Sequence, residues 1–395
     1  MNFKSTYSSM TPLSVRLPKI VVLGLGGGGS NAINRMIESG MKDVMFIAAN
    51  TDAQALAKSL APNKIQLGPK ATRGLGAGGL PVVGQTAAEE STRDLVTMLQ
   101  GAEMVFLTAG MGGGTGTGSI SVAAKIAKAV GAVVIAIVTK PFSFELGRRQ
   151  QNAEEGLAAL REHTDTLIVI PNDKLIEIAP KDLPLDMAFT LADDVLRQSV
   201  QGISELITET GLINVDFSHI KNVMSRGGGA LMAIGTGSGP NKVQQAIDRA
   251  LHHPLLDDID LMSATGMIAN FTGSSNLSFK EVTDALQALQ QATGYHADII
   301  PGIITDSRMD DRVQLILIVT GIGMSGKDVT ISTAESYKYI PQHQTPSQPV
   351  VHADPPRHNQ VEQKEVTVNH FNTFGGASSN LDIPTFLRRR ANSGK

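Results

Sequence analysis

From Lys19 onward the chain alternates short, continuously apolar, β-branched runs with stretches in which apolar residues recur every three or four positions. Runs of the first kind predict buried strands over Lys19–Gly26, Val44–Thr51, Met104–Gly110, Ala132–Lys140 and Thr166–Asp173. The second kind predicts helices from about Asn31 to Gly40 and over Gly84–Gln100, Gly118–Val130 and Gly147–His163. Strands that are apolar at every position and separated by helices form a parallel sheet covered on both faces. Ligands on such sheets bind beyond the carboxyl ends of the strands. The loops after Gly24, Asn50, Ala109, Thr139 and Pro171 are therefore the ones in which chemistry is expected.

Leu185–Glu209 reads as one long helix ending at Gly211, and beyond it the pattern changes. Helices near Asp216–Ser225, Asn241–His252 and Ser278–Ala292 alternate with strands near Gly229–Gly235, Gly266–Gly273, Asp298–Asp306 and Arg312–Gly321. This predicts a second α/β unit reached through the long helix. After about Ser332 apolar density falls, and Tyr339–Phe371 places five prolines among Gln, His and Asn, the composition of a disordered linker. Leu381–Arg390 (LDIPTFLRRR) ends that linker with apolar and basic residues together; it is either a frayed terminus or a peptide that folds onto a partner. The expected organisation is an N-terminal extension (1–18), a nucleotide-binding domain (19–184), a central helix (185–211), an α/β domain (212–332), a linker (333–379) and a tail (380–395).

Composition narrows the function classes. With 42% apolar and 18% charged residues the chain can bury a sizeable core. A net charge of -3 argues against a nucleic-acid protein with a broad basic surface. Zero cysteines exclude disulfides, cysteine-ligated zinc, iron–sulfur clusters and thiol catalysis. The longest apolar runs are strand-sized, far short of the ~20 residues of a membrane helix, and Met1–Lys19 carries no signal-peptide core. The expectation is a cytosolic chain without membrane insertion.

The forty glycines cluster. Gly24-Leu25-Gly26-Gly27-Gly28-Gly29-Ser30-Asn31 lies between a strand and a helix, where glycine lets backbone approach a phosphate and the helix N-terminus supplies N–H donors. By itself it fits the G-x-G-x-x-G pattern of dinucleotide enzymes or a structural turn. Gly110–Gly118 (GMGGGTGTG) repeats the strand–loop–helix context and adds the hydroxyls of Thr115 and Thr117. Two such loops at one sheet edge favour a triphosphate, with Gly74–Gly79 available to cover its end. No Walker lysine is present: Gly321–Lys327 resembles a P-loop, but Asp328 stands where Ser or Thr is needed, so it reads as a turn. His252 and His253 beside Asp257 and Asp258 give no good chelate spacing and read as a solvated turn.

With both loops in view, GGGTGTG resembles the signature of the tubulin/FtsZ family, and Lys19 to about Arg390 is similar to FtsZ, the bacterial tubulin-like cell-division GTPase family. Further matching segments are Asn50–Gln54, Lys140–Glu145, Pro171–Leu175 and Asn214–Phe217. The resemblance implies a Rossmann-like parallel-sheet GTPase domain joined by a central helix to a second α/β domain. It implies a GTP-dependent polymer that assembles head to tail at the mid-cell division ring. Mg2+ would accompany the nucleotide, and adaptors of FtsA, ZipA or SepF type would bind Leu381–Arg390.

Residue by residue, the resemblance assigns the phosphates to Gly27, Gly28, Gly29, Ser30, Asn31, Gly114, Thr115 and Gly116. It assigns ribose and phosphate contacts to Glu145, Arg149 and Asn172, base packing to Phe189, and guanine recognition to Asp193, with Asp194 the alternative by one step. Read from the residues alone, Glu145–Arg149 is an exposed ion pair and Phe189 a core residue. After the long helix the family presents two aspartates three residues apart, acting on the neighbouring subunit's nucleotide. Here Asp216 holds the first position but His219 the second, where it either polarises water when neutral or merely caps a helix. Slower hydrolysis with polymerisation retained is the expectation. The rival readings are a nicotinamide oxidoreductase, which leaves GGGTGTG unexplained, and a structural polymer with weak or no hydrolysis.

Overall fold

The computed structural model describes residues 18–145, 147–180, 182–209, 215–225, 229–256 and 260–322, all within one compact unit, Met1–Asp328. The expected linker, the Leu381–Arg390 peptide and most of Gly321–Lys327 lie outside the described residues.

In chain order the elements begin β1 (Ile20–Leu25), α1 (Gly26–Glu38), β2 (Met45–Asn50), α2 (Ala53–Lys58), β3 (Asn63–Gln66), α3 (Pro81–Glu90) and α4 (Thr92–Leu99). They continue with β4 (Met104–Gly110), α5 (Thr115–Ala129), β5 (Val133–Lys140), α6 (Arg148–Arg161), β6 (Thr166–Pro171), α7 (Asn172–Glu177) and α8 (Leu185–Thr208). The remainder is α9 (Phe217–Ser225), β7 (Gly229–Ser238), α10 (Lys242–Leu251), β8 (Gly266–Gly273), α11 (Phe279–Ala292), β9 (Asp298–Thr305) and β10 (Arg312–Ile322).

All ten strands join one sheet in the order β3-β2-β1-β4-β5-β6-β7-β10-β8-β9. β1 to β6 run parallel, as the unbroken apolar character of all of them but β3 predicts. β6 pairs parallel with β7 through Leu167–Gly229 and Ile168–Ala230, so the second α/β region continues the same sheet. β10 then runs antiparallel between β7 and β8, and β9 lies parallel to β8. Because β7, β8 and β9 point the same way as β1–β6, the sheet has one edge of carboxyl ends and an opposite edge of amino ends. Side chains such as Val21, Leu107, Val134 and Ile120 fill the core of the first region, and Ile247, Phe271, Leu289 and Leu317 that of the second.

Three local differences from the sequence expectation have physical causes. α1 begins at Gly26 rather than near Asn31, so the first glycine stretch is the opening turn of the helix. The predicted helix over Gly84–Gln100 is broken at Ser91, whose hydroxyl accepts the Gly68 N–H at 3.0 Å and donates to the Gln66 carbonyl at 3.3 Å. The strand expected over Thr166–Asp173 stops at Pro171, and Asn172 opens α7. Outside these, His253 is buried rather than solvated, with its ring Nδ1 accepting from the Leu255 N–H at 3.3 Å, whereas His252 is exposed.

Candidate functional site

Both glycine stretches lie at the carboxyl edge of the parallel strands. β1 passes directly into α1, and β4 passes through Gly110–Gly114 into α5. A methyl on Gly26 (φ +70°) would lie 2.8 Å from the Gly116 amide nitrogen, and one on Gly28 would lie 3.0 Å from that of Gly110. The two stretches therefore press backbone on backbone, an approach that a Cβ would prevent. Gly27 and Gly113 differ: beyond their chain neighbours, nothing lies within 4 Å of a methyl on either. The opening above them faces the first turns of α1 and α5, whose N–H groups have no intrahelical acceptor and carry the positive ends of two helix dipoles. Helix starts of this kind can receive an anion through their backbone N–H groups.

The third stretch closes one side. Gly74, Gly76, Gly78 and Gly79 all adopt positive φ, and a methyl on Gly114 would stand 2.8 Å from the Leu80 amide nitrogen. Asn152 Nδ2 donates to the carbonyls of Gly79 and Gly112, at 3.4 and 3.2 Å, tying this stretch to the second one. Thr115 Oγ1 lies 2.6 Å from Thr51 Oγ1 at the end of β2. The Thr117 hydroxyl does not face the opening: it is buried and accepts the Gly112 N–H at 2.8 Å, bracing its own loop. Ser30 is also buried, and its hydroxyl finds no partner among the described residues, while Asn31, the next residue, is exposed.

A second cluster borders the same edge. Phe189, on the first turns of α8, is 40% exposed. It meets Phe142 edge-on (centroids 5.3 Å, 87°) and Phe144 likewise (6.4 Å, 85°). Phe189 is thus only partly covered, which core packing does not require. One turn along α8, Asp193 accepts from Arg35 Nε of α1 at 3.2 Å through Oδ2, leaving Oδ1 with no hydrogen bond to any described residue. Burial pushes this carboxyl up from 3.8 to about 6, Arg35 pulls against that, and Asp194 adds to it. Asp194 points elsewhere: it is buried, and both its oxygens are taken, by Arg197 Nε at 2.7 Å and Gln198 Nε2 at 2.6 Å. Of the two sequence alternatives, only Asp193 keeps an acceptor open. Glu145 accepts the Phe142 N–H at 3.0 Å and pairs with Arg149, whose guanidinium is exposed. Asn172 is buried and its Oδ1 finds no partner among the described residues, an acceptor left open at the same strand edge.

Residues 19–180 match the GTPase domain of the Tubulin/FtsZ family, and residues 228–323 match the FtsZ family C-terminal domain. The structure is similar to that of an FtsZ dimer from M. jannaschii, at 44% identity over 78% of this chain and 90% of that one, with a TM-score of 0.75. The chain is a member of the FtsZ family. A variant FtsZ from the same organism matches at 45% identity over 78% and 92% of the two chains, with a TM-score of 0.74. CetZ2 from Haloferax volcanii, solved as a protofilament bound to GTPγS, shares the fold at 20% identity over 78% and 94%, with a TM-score of 0.66. As an FtsZ-family GTPase this protein binds GTP, and the paired glycine stretches lie within the matched GTPase domain.

In this family member the other expected residues stand far from the glycine stretches. Asp216 caps α9, its Oδ1 accepting the Ser218 N–H at 3.1 Å, and Oδ2 has no partner among the described residues. His219 follows on the first turn of α9 and is exposed, but it does more than cap: its Nε2 lies 3.4 Å from Asp298 Oδ2 at the start of β9. The carboxyl end of α9 is held at the amino end of β6, where Thr166 Oγ1 donates to the Met224 carbonyl. Asp216 and His219 therefore sit at the amino edge of the sheet. The 8 residues of β5, at ~3.3 Å each, put roughly 26 Å between the two edges.

Sequence reasoning missed Arg35, Thr51, Phe142, Phe144, Asn152 and Asp298. Lys140–Glu145 was singled out as a segment, and its spacing of two aromatics two residues apart was the available signal for Phe142 and Phe144. Thr51 likewise lies in the matching segment Asn50–Gln54, whereas Arg35, Asn152 and Asp298 reach their places through tertiary packing, and no local pattern marks them.

Proposed function

We propose that this protein is a filament-forming GTPase of the cell-division ring whose hydrolytic site is completed by the next subunit. The observation that carries this is the placement of the two groups of residues on opposite edges of one sheet. The amino edge of one subunit, stacked on the carboxyl edge of another, brings Asp216 and His219 over the glycine cradle. Such a contact is head to tail and does not close, so it propagates as a filament.

The site fits GTP on this chain's own features. Gly27, Gly28, Gly29, Gly114 and Gly116 would offer backbone N–H groups, with open space beside Gly27, while Thr115 offers a hydroxyl and Asn172 an unpartnered acceptor. Phe189 offers a partly exposed ring to the base. Ionised Asp193 accepts from the guanine ring N–H and exocyclic amine, a pairing adenine cannot supply. Glu145, Arg149 and Asn31 complete the ribose and phosphate side. Among the described residues no cluster of three His, Asp or Glu can hold a metal. Mg2+ would accompany the nucleotide and would neutralise phosphate charge that no Walker lysine meets.

The linker and Leu381–Arg390 would tether filaments to membrane adaptors of FtsA, ZipA or SepF type, multiplying weak contacts by avidity. Among the described residues no helix is long and apolar enough to cross a membrane. Domains 19–184 and 212–332 thus divide nucleotide binding from completion of the neighbour's site.

Sedimentation with GTP, GDP, ATP and NAD, with released phosphate assayed in parallel, tests the reading. GTP-specific pelleting with phosphate release is expected, and Asp216→Asn should pellet with GTP while releasing at least ~100-fold less phosphate. Pelleting of the wild-type chain without release would select the structural-polymer alternative that His219 raises. A permanently monomeric chain would overturn the proposal.

A further inference from the structure

We propose that Asp298 is a positioning residue for GTP hydrolysis, acting through His219. The inference rests on the interface reading above and deepens it. In the family's usual arrangement the loop before α9 ends in two carboxylates; here the second is an imidazole, and the structure brings a carboxylate from a distant strand to it. His219 Nε2 and Asp298 Oδ2 lie 3.4 Å apart although the residues are 79 positions apart in sequence.

Each partner is held from its own side. Asp298 opens β9, paired in parallel register with Gly266 of β8, and its N–H donates to the Thr265 carbonyl at 3.2 Å. His219 is fixed on the first turn of α9, where its N–H donates to the Asp216 carbonyl at 2.9 Å. The pair and the Asp216 carboxylate therefore share the first turn of one helix and the adjoining strand end.

The chemistry follows from what each group can donate or accept. An ionised carboxylate only accepts, so Asp298 selects the neutral tautomer of His219 that carries its proton on Nε2. Nδ1 then has a lone pair free to face the neighbouring subunit's nucleotide. There it orients a water whose oxygen bonds to the γ-phosphorus as the bond from that phosphorus to the β–γ bridging oxygen breaks. The bridging oxygen keeps the bonding electrons and leaves with GDP. The water's proton passes to Nδ1, and Asp298 stabilises the imidazolium until that proton is given to phosphate or solvent.

With His219 neutral, Asp216 and Asp298 set two carboxylates at the amino edge beside the imidazole. Both side chains are partly exposed in the single subunit (47% and 36%). Solvent screens the pair there, and stacking of a second subunit would strengthen it.

The test uses the full chain carrying Asp298→Asn, alone and combined with His219→Asp, with phosphate release, GTP affinity and pelleting measured on each. Asp298→Asn alone should lower kcat about tenfold with KM, GTP affinity and pelleting unchanged. In the His219→Asp background, where the imidazole is gone, the same change should cost nothing, and relief of carboxylate repulsion should raise turnover. Equal losses in both backgrounds, or no loss with His219 present, would overturn the proposal. Asp216→Asn, run alongside, separates the two levels: phosphate release that survives it removes the interface reading itself, whatever Asp298 does.

Discussion

Arg35 Nε lies 3.2 Å from Asp193 Oδ2, joining the helix that carries the first glycine stretch to the long helix that carries Asp193. Arg35 Nη2 also donates to Thr190 Oγ1 at 3.0 Å, so the guanidinium is fixed at two points. The contact orients Asp193 with its second oxygen open, and it opposes the burial that otherwise favours the protonated acid.

A pH dependence follows. Because Asp193 titrates near 6, raised from 3.8 chiefly by burial, GTP affinity should fall as pH drops below about 6 and guanine faces a carboxylic acid. Asp193→Asn should flatten that fall, and Arg35→Gln should move it to higher pH; nucleotide titrations between pH 5 and 8 read both. The folding contribution has the opposite sign: a raised carboxyl favours the folded state below its unfolded value, and that contribution is lost as pH rises through about 6. Recognition and stability therefore make opposite demands on this group. An affinity independent of pH would contradict the assignment.

The glycines separate into scaffold and cradle. At Gly27 a methyl meets open space, and the residue lies within α1, where alanine is the better helix former by up to ~1 kcal/mol. Gly27→Ala should leave the thermal midpoint unchanged or higher while weakening GTP binding by an order of magnitude or more. Gly29→Ala drives a methyl into the Thr108 carbonyl and should destabilise the fold by roughly 1–3 kcal/mol. Thermal melts and nucleotide titrations on the two variants distinguish these outcomes.

Glu205, near the end of α8, is pushed from 4.5 up to about 7 by burial, with Gln201's hydrogen bond and Arg197 opposing and Glu209 and Asp306 adding. Its contribution to stability is fully present below 4.5 and lost as pH rises through about 7. Glu205→Gln should therefore flatten stability between pH 5 and 8 and stabilise the protein at pH 8 by about 1–2 kcal/mol. Denaturant melts across that range check it. A variant less stable than wild type at pH 8 would show that the ionised carboxylate is needed where it lies.

Much of the fold was legible because its signals are local. Five parallel strands announce themselves as unbroken apolar runs, since a strand buried on both faces has no polar positions to spare. The long helix read as Leu185–Glu209 is found at Leu185–Thr208. β3 went unread because NKIQ buries only Ile65, and a four-residue edge strand carries no periodicity. α2 was missed although Asp52, whose side chain accepts from the Gln54 and Ala55 amides, supplies its cap.

The sequence by itself determined what glycine spacing encodes: close backbone approach and helix starts are properties of a few adjacent residues, so both glycine stretches stand between a strand and a helix, as their motifs place them. Packing alone decided which carboxylate keeps an open oxygen: Asp193 and Asp194 are chemically identical neighbours and each meets one arginine, but Gln198 also takes the second oxygen of Asp194. It also decided what His219 faces. Asp298 reaches it because parallel register brings the start of β9 to the edge where α9 begins, and residues that distant in the chain meet only through the sheet between them.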